Sequence, residues 1–236
     1  MKIANRMENL STSVTMAITA QARELKAQGK DILSFSAGEP DFNTPEVIKQ
    51  AAIQAIIDGH TKYTAVEGIT ETKQAIINKL KRDHNLEYKL ENIIISNGAK
   101  HSLFNLFQVL IEKGDEVIIP APYWVTYPEQ VKFSDGVPVI IETDDTTSFK
   151  VTAEQVKKAI TSKTKILLLN TPSNPTGAVY TKEELTAIGK VLEGTDILVF
   201  SDEMYEKIMY DGKEFTAAAQ VSDDMYQRTV TINGIS

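Results

Sequence analysis

The residue with the clearest chemical potential in this sequence is a carboxylate at the end of a buried strand. Asp202 directly follows the apolar run 197–200 and Ser201. Removing an unpaired charge from water is costly, so a buried Asp202 needs a cation or hydrogen-bond donors beside it. A protonated ring nitrogen of a bound heterocycle would meet that need, whereas an ordinary strand-end aspartate is the alternative. Tyr205, three residues later, would reach the same ligand if the turn between them were helical.

The segment Ser96–Lys100 has the outline of a phosphate-binding site. Gly98 precedes a predicted helix whose free N–H groups would point at an anion. The helix dipole opposes a lysine in the first turn, so Lys100 indicates an anion nearby. A simple Asn-Gly turn and a solvated lysine are the alternatives.

Two further segments offer groups suited to a flat ligand. Trp124, the only tryptophan, follows a predicted strand. Its ring would stack on a planar cofactor or, alternatively, cap the core. Asn174 begins Asn-Pro-Thr-Gly, a rigid turn that presents one side-chain amide to a ligand.

Apolar strands that alternate with helices bring these segments together. Continuous apolar runs indicate strands buried on both faces, and strand–helix alternation indicates mostly parallel pairing. We therefore predict an α/β fold, a three-layer α/β/α domain with a mostly parallel central sheet. The predicted strands are 93–95, 116–119, 137–141, 165–169, 197–200 and 229–232. Ligands of such sheets bind beyond the carboxyl ends of the strands, where the polar segments lie.

Capping signals and amphipathic spacing predict the helices. Capping boxes at Thr152 and Thr181 each begin one. The other predicted helices are 13–27, 47–56, 99–111 and 123–133. Residues 1–45 do not show the alternation of strands and helices. We assign 1–45 to an N-terminal arm and part of a small domain, and 46–236 to the large domain, incomplete at its C-terminal end.

Composition excludes several other classes of protein. The 236 residues include no cysteine and carry a net charge of −7, which excludes thiolate chemistry and an electrostatic surface for nucleic acid. His60, His84 and His101 fit no metal-ligand spacing. With no signal sequence and no apolar run of membrane-spanning length, we expect a cytoplasmic protein without metal, membrane or nucleic-acid partners.

Seven motifs, in order along the chain, resemble those of the class I aminotransferases, enzymes of fold type I that use pyridoxal 5′-phosphate (PLP). The motifs are SAGEPDFNTP (36–45), TKYTAVEGI (61–69), SNGAKHSLFNLF (96–107), PYWVTYPE (122–129), NTPSNPTGAVY (170–180), SDEMYE (201–206) and VTINGIS (230–236). The chain is most similar to the prokaryotic-type aspartate aminotransferase branch, which carries Gly-Lys or Ala-Lys at the phosphate-loop helix. The large domain is thereby identified as PLP-binding.

The resemblance implies which residues bind the cofactor. These are Gly98, Ala99 and Lys100 at the phosphate, Trp124 stacked on the pyridine ring, Asn174 and Tyr205 at its hydroxyl oxygen, and Asp202 at its nitrogen. Tyr63 would cross to the phosphate of a partner subunit, so a homodimer with the active site at its interface is implied.

The resemblance also implies how a substrate is held. The substrate-binding residues would be Gly38, Trp124, Asn174, Lys100, Ser13 and Thr15. Gly38 would meet the substrate carboxylate through its backbone. Ser13, Thr15 and Lys100 would bind the distal carboxylate of a dicarboxylic substrate.

The matched motifs leave the catalytic lysine outside the chain. In the family, the Asn-Gly motif precedes the lysine that forms the Schiff base with the cofactor. We expect it directly after Ser236, so the chain is truncated before it and no catalytic residue is assigned within the sequence. Gly234 stands where some relatives carry a phosphate-binding serine, and a glycine offers no hydroxyl group for that contact.

The implied activity is transfer of the amino group of aspartate to 2-oxoglutarate, giving oxaloacetate and glutamate. The alternatives are a broad-specificity aminotransferase acting on alanine, aromatic amino acids or prephenate, and a non-catalytic PLP-fold binding protein. Cis peptide bonds are also expected at Ala121–Pro122 and Asn174–Pro175, because both prolines lie beside residues expected to touch the cofactor.

Overall fold

The computed structural model describes residues 3–8, 10–11, 14–35, 38 and 42–235, which divide into two compact units. The smaller unit, Ser11–Val66, holds two helices, α1 (Val14–Ala27) and α2 (Glu46–Ile57). The larger unit comprises the described residues of Met1–Leu10 and Glu67–Ser236. Helix α2 thus falls in the smaller unit, whereas the predicted large domain begins at residue 46. The predicted domain boundary stays a prediction.

A five-stranded sheet forms the centre of the larger unit. Its strands are β1 (Glu116–Ala121), β2 (Val137–Glu142), β3 (Thr164–Asn170), β4 (Leu198–Asp202) and β5 (Thr229–Ile232). All neighbours pair in parallel, in the order β2-β1-β3-β4-β5. The predicted α/β fold with a parallel central sheet is confirmed.

Helices cover both faces of this sheet. They are α4 (Ala99–Leu110), α5 (Thr126–Phe133), α6 (Ala153–Ala159), α7 (Lys182–Leu192) and α8 (Asp223–Arg228). Helix α3 (Thr70–His84) instead packs with Leu86, Ile93 and Ala217 in a separate cluster. On one face, Phe107 of α4 and Val131 of α5 pack with Phe200 of β4. On the other, Leu185 of α7 and Met225 of α8 pack with Val199. Within the described residues, no helix is long and apolar enough to cross a membrane.

Both predicted capping boxes are present. Thr152 Oγ1 accepts the N–H of Gln155 at 3.2 Å, and Thr181 Oγ1 accepts the N–H of Glu184 at 3.2 Å. The Glu184 carboxylate in turn accepts the N–H of Thr181 at 2.7 Å, so both orphan donors of this helix start are satisfied. These caps fix the starts of α6 and α7 on the face of the sheet opposite α4 and α5.

Three element predictions differ from the structure. No strand forms at 93–95, because no neighbouring strand among the described residues pairs with it; instead Ile95 N donates to Glu67 O at 3.0 Å. The helix predicted at 123–133 begins at Thr126, because the residues before it form the turn that leaves β1. Helix α3 was not predicted, because its sequence is strongly charged and only a narrow stripe of it is buried.

Candidate active site

Asp202 ends β4 at the carboxyl edge of the sheet, and it is 4% exposed. Its Oδ2 accepts a hydrogen bond of 2.6 Å from the hydroxyl group of Tyr127, on α5. Its Oδ1 accepts a longer bond of 3.3 Å from the backbone N–H of Met204. The carboxylate is therefore held from two sides and keeps acceptor capacity for a further donor.

Burial raises the pKa of Asp202, and the hydrogen bonds from Tyr127 and Met204 oppose that rise. Burial also raises the pKa of the Tyr127 phenol, as does the neighbouring charge of Asp202. The phenol therefore keeps its proton and is the donor in this pair. A cation placed beside Asp202 would stabilise its charged form.

Asn170, at the end of β3, links the neighbouring loop to Asp202. The two residues are partners in the parallel register, and Asn170 Nδ2 donates to the backbone oxygen of Asp202 at 3.0 Å. Asn170 Oδ1 accepts the backbone N–H of Asn174 at 2.6 Å. The predicted site residue Asn174 is thus fixed close to Asp202, with its half-buried side chain at the same sheet edge.

Trp124 and Lys100 lie on the other side of Tyr127. The rings of Trp124 and Tyr127 meet edge to face, with centroids 5.4 Å apart and planes at 85°. Lys100 Nζ lies 4.9 Å from the centre of the Trp124 ring, where the ring's π electrons attract a cation. Gln130 on α5 donates to the backbone oxygen of Lys100 at 2.9 Å, which joins α4 to α5.

Helix α4 begins at Gly98, whose φ of 86° is a conformation that favours glycine. The N–H groups of His101 and Ser102 both donate to Gly98 O, and no side chain caps the helix. The N–H groups of Ala99 and Lys100 lie in the first turn, before the first intrahelical hydrogen bonds, so no carbonyl group of the helix accepts them. A Cβ placed on Gly98 would meet no atom within 4 Å among the described residues, so space beside this helix start is open to a ligand.

Tyr205 follows Asp202 through a tight turn rather than a helix. Within that turn, Glu206 N donates to Glu203 O at 3.1 Å and Ile208 N donates to Tyr205 O at 2.8 Å. Tyr205 is half-buried and close enough to add to the rise in the pKa of Tyr127. The larger unit therefore brings together six predicted site residues: Gly98, Ala99, Lys100, Trp124, Asp202 and Tyr205, with Asn174 tied to Asp202 through Asn170.

The other predicted site residues belong to the smaller unit. Tyr63 and Gly38 are both exposed there. Thr15 lies in α1, but its side chain is outside the described part, and Ser13 is outside the described residues altogether. The roles of these four residues stay predictions.

The prolines of this site region are cis as expected. The bonds Ala121–Pro122 and Asn174–Pro175 are both cis, which confirms the prediction. A third cis bond, Thr171–Pro172, was not predicted.

Sequence reasoning missed Tyr127 and Asn170. Tyr127 lies in the quoted motif PYWVTYPE, but nothing in the sequence indicates that its hydroxyl group binds Asp202. Asn170 ends a predicted strand, but nothing in the sequence indicates that it bonds Asn174 and Asp202 at once.

A second buried acid follows Asp202 directly. Glu203 is fully buried; its Oε1 accepts from Ser201 Oγ at 2.8 Å and from Ala218 N at 3.0 Å. Its Oε2 has no partner in the described part of the chain. Burial raises the pKa of Glu203 to about 7.

Glu206 ties the turn after Asp202 to α3 and to the segment after β5. It accepts from Lys79 at 2.5 Å, from His84 at 2.8 Å and from Asn233 at 3.0 Å. Burial opposes ionisation, but the bonds from His84 and Lys79 prevail and lower the pKa of Glu206 to about 2. Asp83, His84 and Glu206 place possible metal ligands within 4.8 Å of one another. The Lys79 ammonium group already neutralises Glu206, so this cluster is a charge network rather than a metal site.

Comparison with known proteins identifies relatives over the whole chain. Residues 30–236 match the sequence profile of "Aminotransferase class I and II". The chain is 55% identical to the aspartate aminotransferase of Bacillus sp. (strain YM-2), over 99% of this chain and 60% of that protein. It is 49% identical to the aspartate/prephenate aminotransferase of Nitrosomonas europaea, over 100% of this chain and 60% of that protein.

A solved structure extends the likeness to three dimensions. Aspartate aminotransferase from Thermus thermophilus with maleate superposes with a TM-score of 0.95 at 42% identity, over 100% of this chain and 61% of its own. The chain spans about 60% of the length of the curated relatives it matches. The profile match over residues 30–236 and the shared fold lead to one conclusion: this chain belongs to the class I and II aminotransferase family.

Proposed function

We propose that the full-length protein is a PLP-dependent aminotransferase that transfers the amino group of aspartate to 2-oxoglutarate. The observation that carries this proposal is the Asp202 carboxylate, buried at the end of β4 and held by two donors. An acid in that position is suited to a protonated pyridine nitrogen. Relatives named aspartate aminotransferase, 55% and 54% identical to this chain, support the substrate.

The described residues fit PLP. Asp202 offers a carboxyl oxygen as acceptor for the ring nitrogen, and the uncapped start of α4 at Gly98 offers N–H groups for a phosphate. The half-buried ring of Trp124, held at its side by Tyr127, offers a flat surface for stacking. These three features match the ring nitrogen, the phosphate and the ring face of the cofactor.

Bound PLP would supply an electron sink for the charge that develops when the substrate loses its α-proton. Asp202 would hold the proton on the ring nitrogen, which that sink requires. Trp124 would fix the plane of the ring, and Asn174 and Tyr205 would bind its hydroxyl oxygen. Backbone N–H groups of Gly98, Ala99 and Lys100 would bind the phosphate, with Tyr63 from a partner subunit, which leaves the Lys100 ammonium group for the substrate.

A dicarboxylic substrate is favoured by Lys100. Its ammonium group lies over the Trp124 ring, 4.9 Å from the ring centre, so it is directed towards the proposed cofactor site. Lys100 there would attract the distal carboxylate of aspartate, with Ser13 and Thr15 beside it, while Gly38 would meet the α-carboxylate. The Thermus relative was solved with maleate, which is itself a dicarboxylate.

Aspartate/prephenate aminotransferases among the relatives favour one second candidate, an enzyme that also takes prephenate. A homodimer and a cytoplasmic location remain predictions of the same proposal. A steady-state assay of the full-length protein tests the proposal, with 2-oxoglutarate as acceptor and aspartate, alanine or phenylalanine as amino donor. A separate assay with glutamate as donor and prephenate as acceptor tests the second candidate. Aspartate should give the highest kcat/KM. Preference for alanine or phenylalanine over aspartate would contradict the proposed substrate.

A further inference from the structure

The buried position of the Tyr127 side chain directs its hydroxyl group towards Asp202. It is 1% exposed and packs among the apolar residues between the sheet and helices α4 and α5. Its backbone N–H donates to Trp124 O at 3.0 Å, and its ring meets the edge of the Trp124 ring. A hydroxyl group buried among apolar side chains needs a partner, and Asp202 Oδ2, at 2.6 Å, is that partner.

The same contact restrains the acid. Apart from Tyr127, the Asp202 carboxylate receives only the longer 3.3 Å bond from Met204 N within the described residues. With Oδ2 held by Tyr127, the carboxylate cannot turn about its final torsion without losing a charge-assisted hydrogen bond. Oδ1 therefore keeps most of the remaining acceptor capacity.

The Tyr127 side chain thus restrains two groups of the proposed cofactor site. The Tyr127 ring fixes the edge of Trp124, and its hydroxyl group fixes Asp202, 75 residues further along the chain. A phenylalanine would fill the same space and leave no buried hydroxyl to satisfy. The hydroxyl group is therefore the part of Tyr127 that packing alone does not require.

We propose that Tyr127 is a positioning residue, whose hydroxyl group holds one oxygen of Asp202 and so presents the other to the ring nitrogen of the cofactor. This inference rests on the proposed function, because it assigns Asp202 to PLP. Loss of the hydroxyl group would also remove one of the bonds that oppose the rise in the pKa of Asp202. The charged form of Asp202 would then be populated only at higher pH.

The test is Tyr127→Phe in the full-length protein, with the dissociation constant of PLP measured by absorbance titration at a series of pH values. A lost hydrogen bond to a charged group predicts roughly 10- to 100-fold weaker binding. Because Asp202 becomes easier to protonate, the loss should grow as pH falls, and the pH midpoint of binding should move upward. Circular dichroism and the unfolding midpoint check that the variant is folded.

Two companion variants separate this role from a structural one. Tyr180→Phe removes another buried, bonded hydroxyl group, which accepts from Val151 N in the opposite core, and should leave PLP affinity and its pH midpoint unchanged. In an Asp202→Asn background, Tyr127→Phe should weaken PLP binding by less than about twofold, because Tyr127 acts through the charged acid.

The possible results distinguish failure of the positioning role of Tyr127 from failure of the proposed function. A parent protein that binds PLP, with Tyr127→Phe binding it equally well and with the same pH midpoint, overturns the role of Tyr127 and leaves the proposed function standing. An equal loss in the Asp202→Asn background overturns it as well. A parent protein that binds no PLP overturns the proposed function and this inference together.

Discussion

Two consecutive acids at the end of β4 lie on opposite sides of the sheet. Asp202 points towards α5, where the Tyr127 hydroxyl group binds it at 2.6 Å. Glu203 points the other way, to Ser201 Oγ and to the backbone of Ala218. Both side chains are almost entirely buried, and burial raises the pKa of each.

The acids differ in how fully their oxygens are paired. Asp202 has a donor on each oxygen, and Asn170 links its backbone to Asn174, whereas Glu203 Oε2 has no partner in the part of the chain described. An unpaired buried oxygen is tolerable on a neutral carboxyl group and costly on a charged one. Burial alone therefore does not distinguish the acid that we propose to bind the cofactor. The hydrogen-bond donors on both of its oxygens do.

The largest expected effect is that of Asp202→Asn on turnover. The fold should persist, but the proposed ring nitrogen loses its ion-pair partner. Removing one partner of a buried ion pair costs about 3–5 kcal/mol, so kcat should fall by roughly 150- to 5000-fold. The matched variant Glu203→Gln should keep kcat within a few fold. Asp202→Asn activity within tenfold of the parent, measured by steady-state kinetics, would remove the distinction between the two acids.

The next effect concerns the pH dependence of stability, which Glu203 should control. Its pKa is about 7 in the folded protein against an ordinary 4.5, so between these values the folded state binds more protons than the unfolded state. Its contribution is therefore fully present below about pH 4.5 and is lost as pH rises through 7. The lost stability is about 3 kcal/mol.

Urea unfolding of the cofactor-free protein at several pH values measures this contribution. Glu203→Gln should flatten the decline in unfolding free energy between pH 5 and 8, on the order of the loss given above. The exposed Glu214→Gln serves as the control and should leave the decline intact. An unchanged slope in Glu203→Gln would mean that this acid is charged in the folded state.

A smaller effect is expected for Lys100→Ala on substrate choice. Lys100 Nζ lies over the Trp124 ring, where a substrate's distal carboxylate would complete its charge pairing. Loss of such a contact costs about 1.5–3 kcal/mol, so kcat/KM for aspartate and glutamate should fall roughly 10- to 100-fold. Values for alanine and phenylalanine should change little, as should all values in Lys132→Ala on α5. Equal losses for both substrate classes would make Lys100 a phosphate ligand instead.

The smallest effect is expected at the capping box of α7, where Thr181 and Glu184 bond each other. Thr181→Ala removes the acceptor for the N–H of Glu184 and should lower the unfolding free energy by about 1 kcal/mol. PLP affinity and kcat should stay as in the parent. A clear kinetic change in this variant would show that stability and site geometry are coupled, and the larger effects above would need correction for it.

The sheet was predictable because its strands are continuous apolar runs buried on both faces, as at Ile166–Leu169. Residues 93–95 are just as apolar, but a strand needs a neighbour, and pairing cannot be read from one segment. Helix α3 was missed because charged residues conceal its buried positions, Lys73, Ile77, Leu80 and His84, although these do recur at helical spacing.

The site was predictable where one segment carries a chemical signal by itself, as Gly98 and Asp202 do. Tyr127 carries none, because its importance depends on a contact with a residue 75 positions away. Asn170 likewise matters through bonds to two different loops. The roles of such residues can be recognised only from the tertiary contacts that the fold makes between distant segments.

A single-turnover experiment tests whether the full-length protein takes the amino group from aspartate, as we propose. The full-length protein, loaded with PLP and free of any 2-oxo acid, is mixed with aspartate while the absorbance of the bound cofactor is followed and oxaloacetate is assayed. We expect a change in the cofactor spectrum and one oxaloacetate formed per active site, reversed by adding 2-oxoglutarate. Bound PLP whose spectrum is unaffected by aspartate, with no oxaloacetate released, would contradict the account.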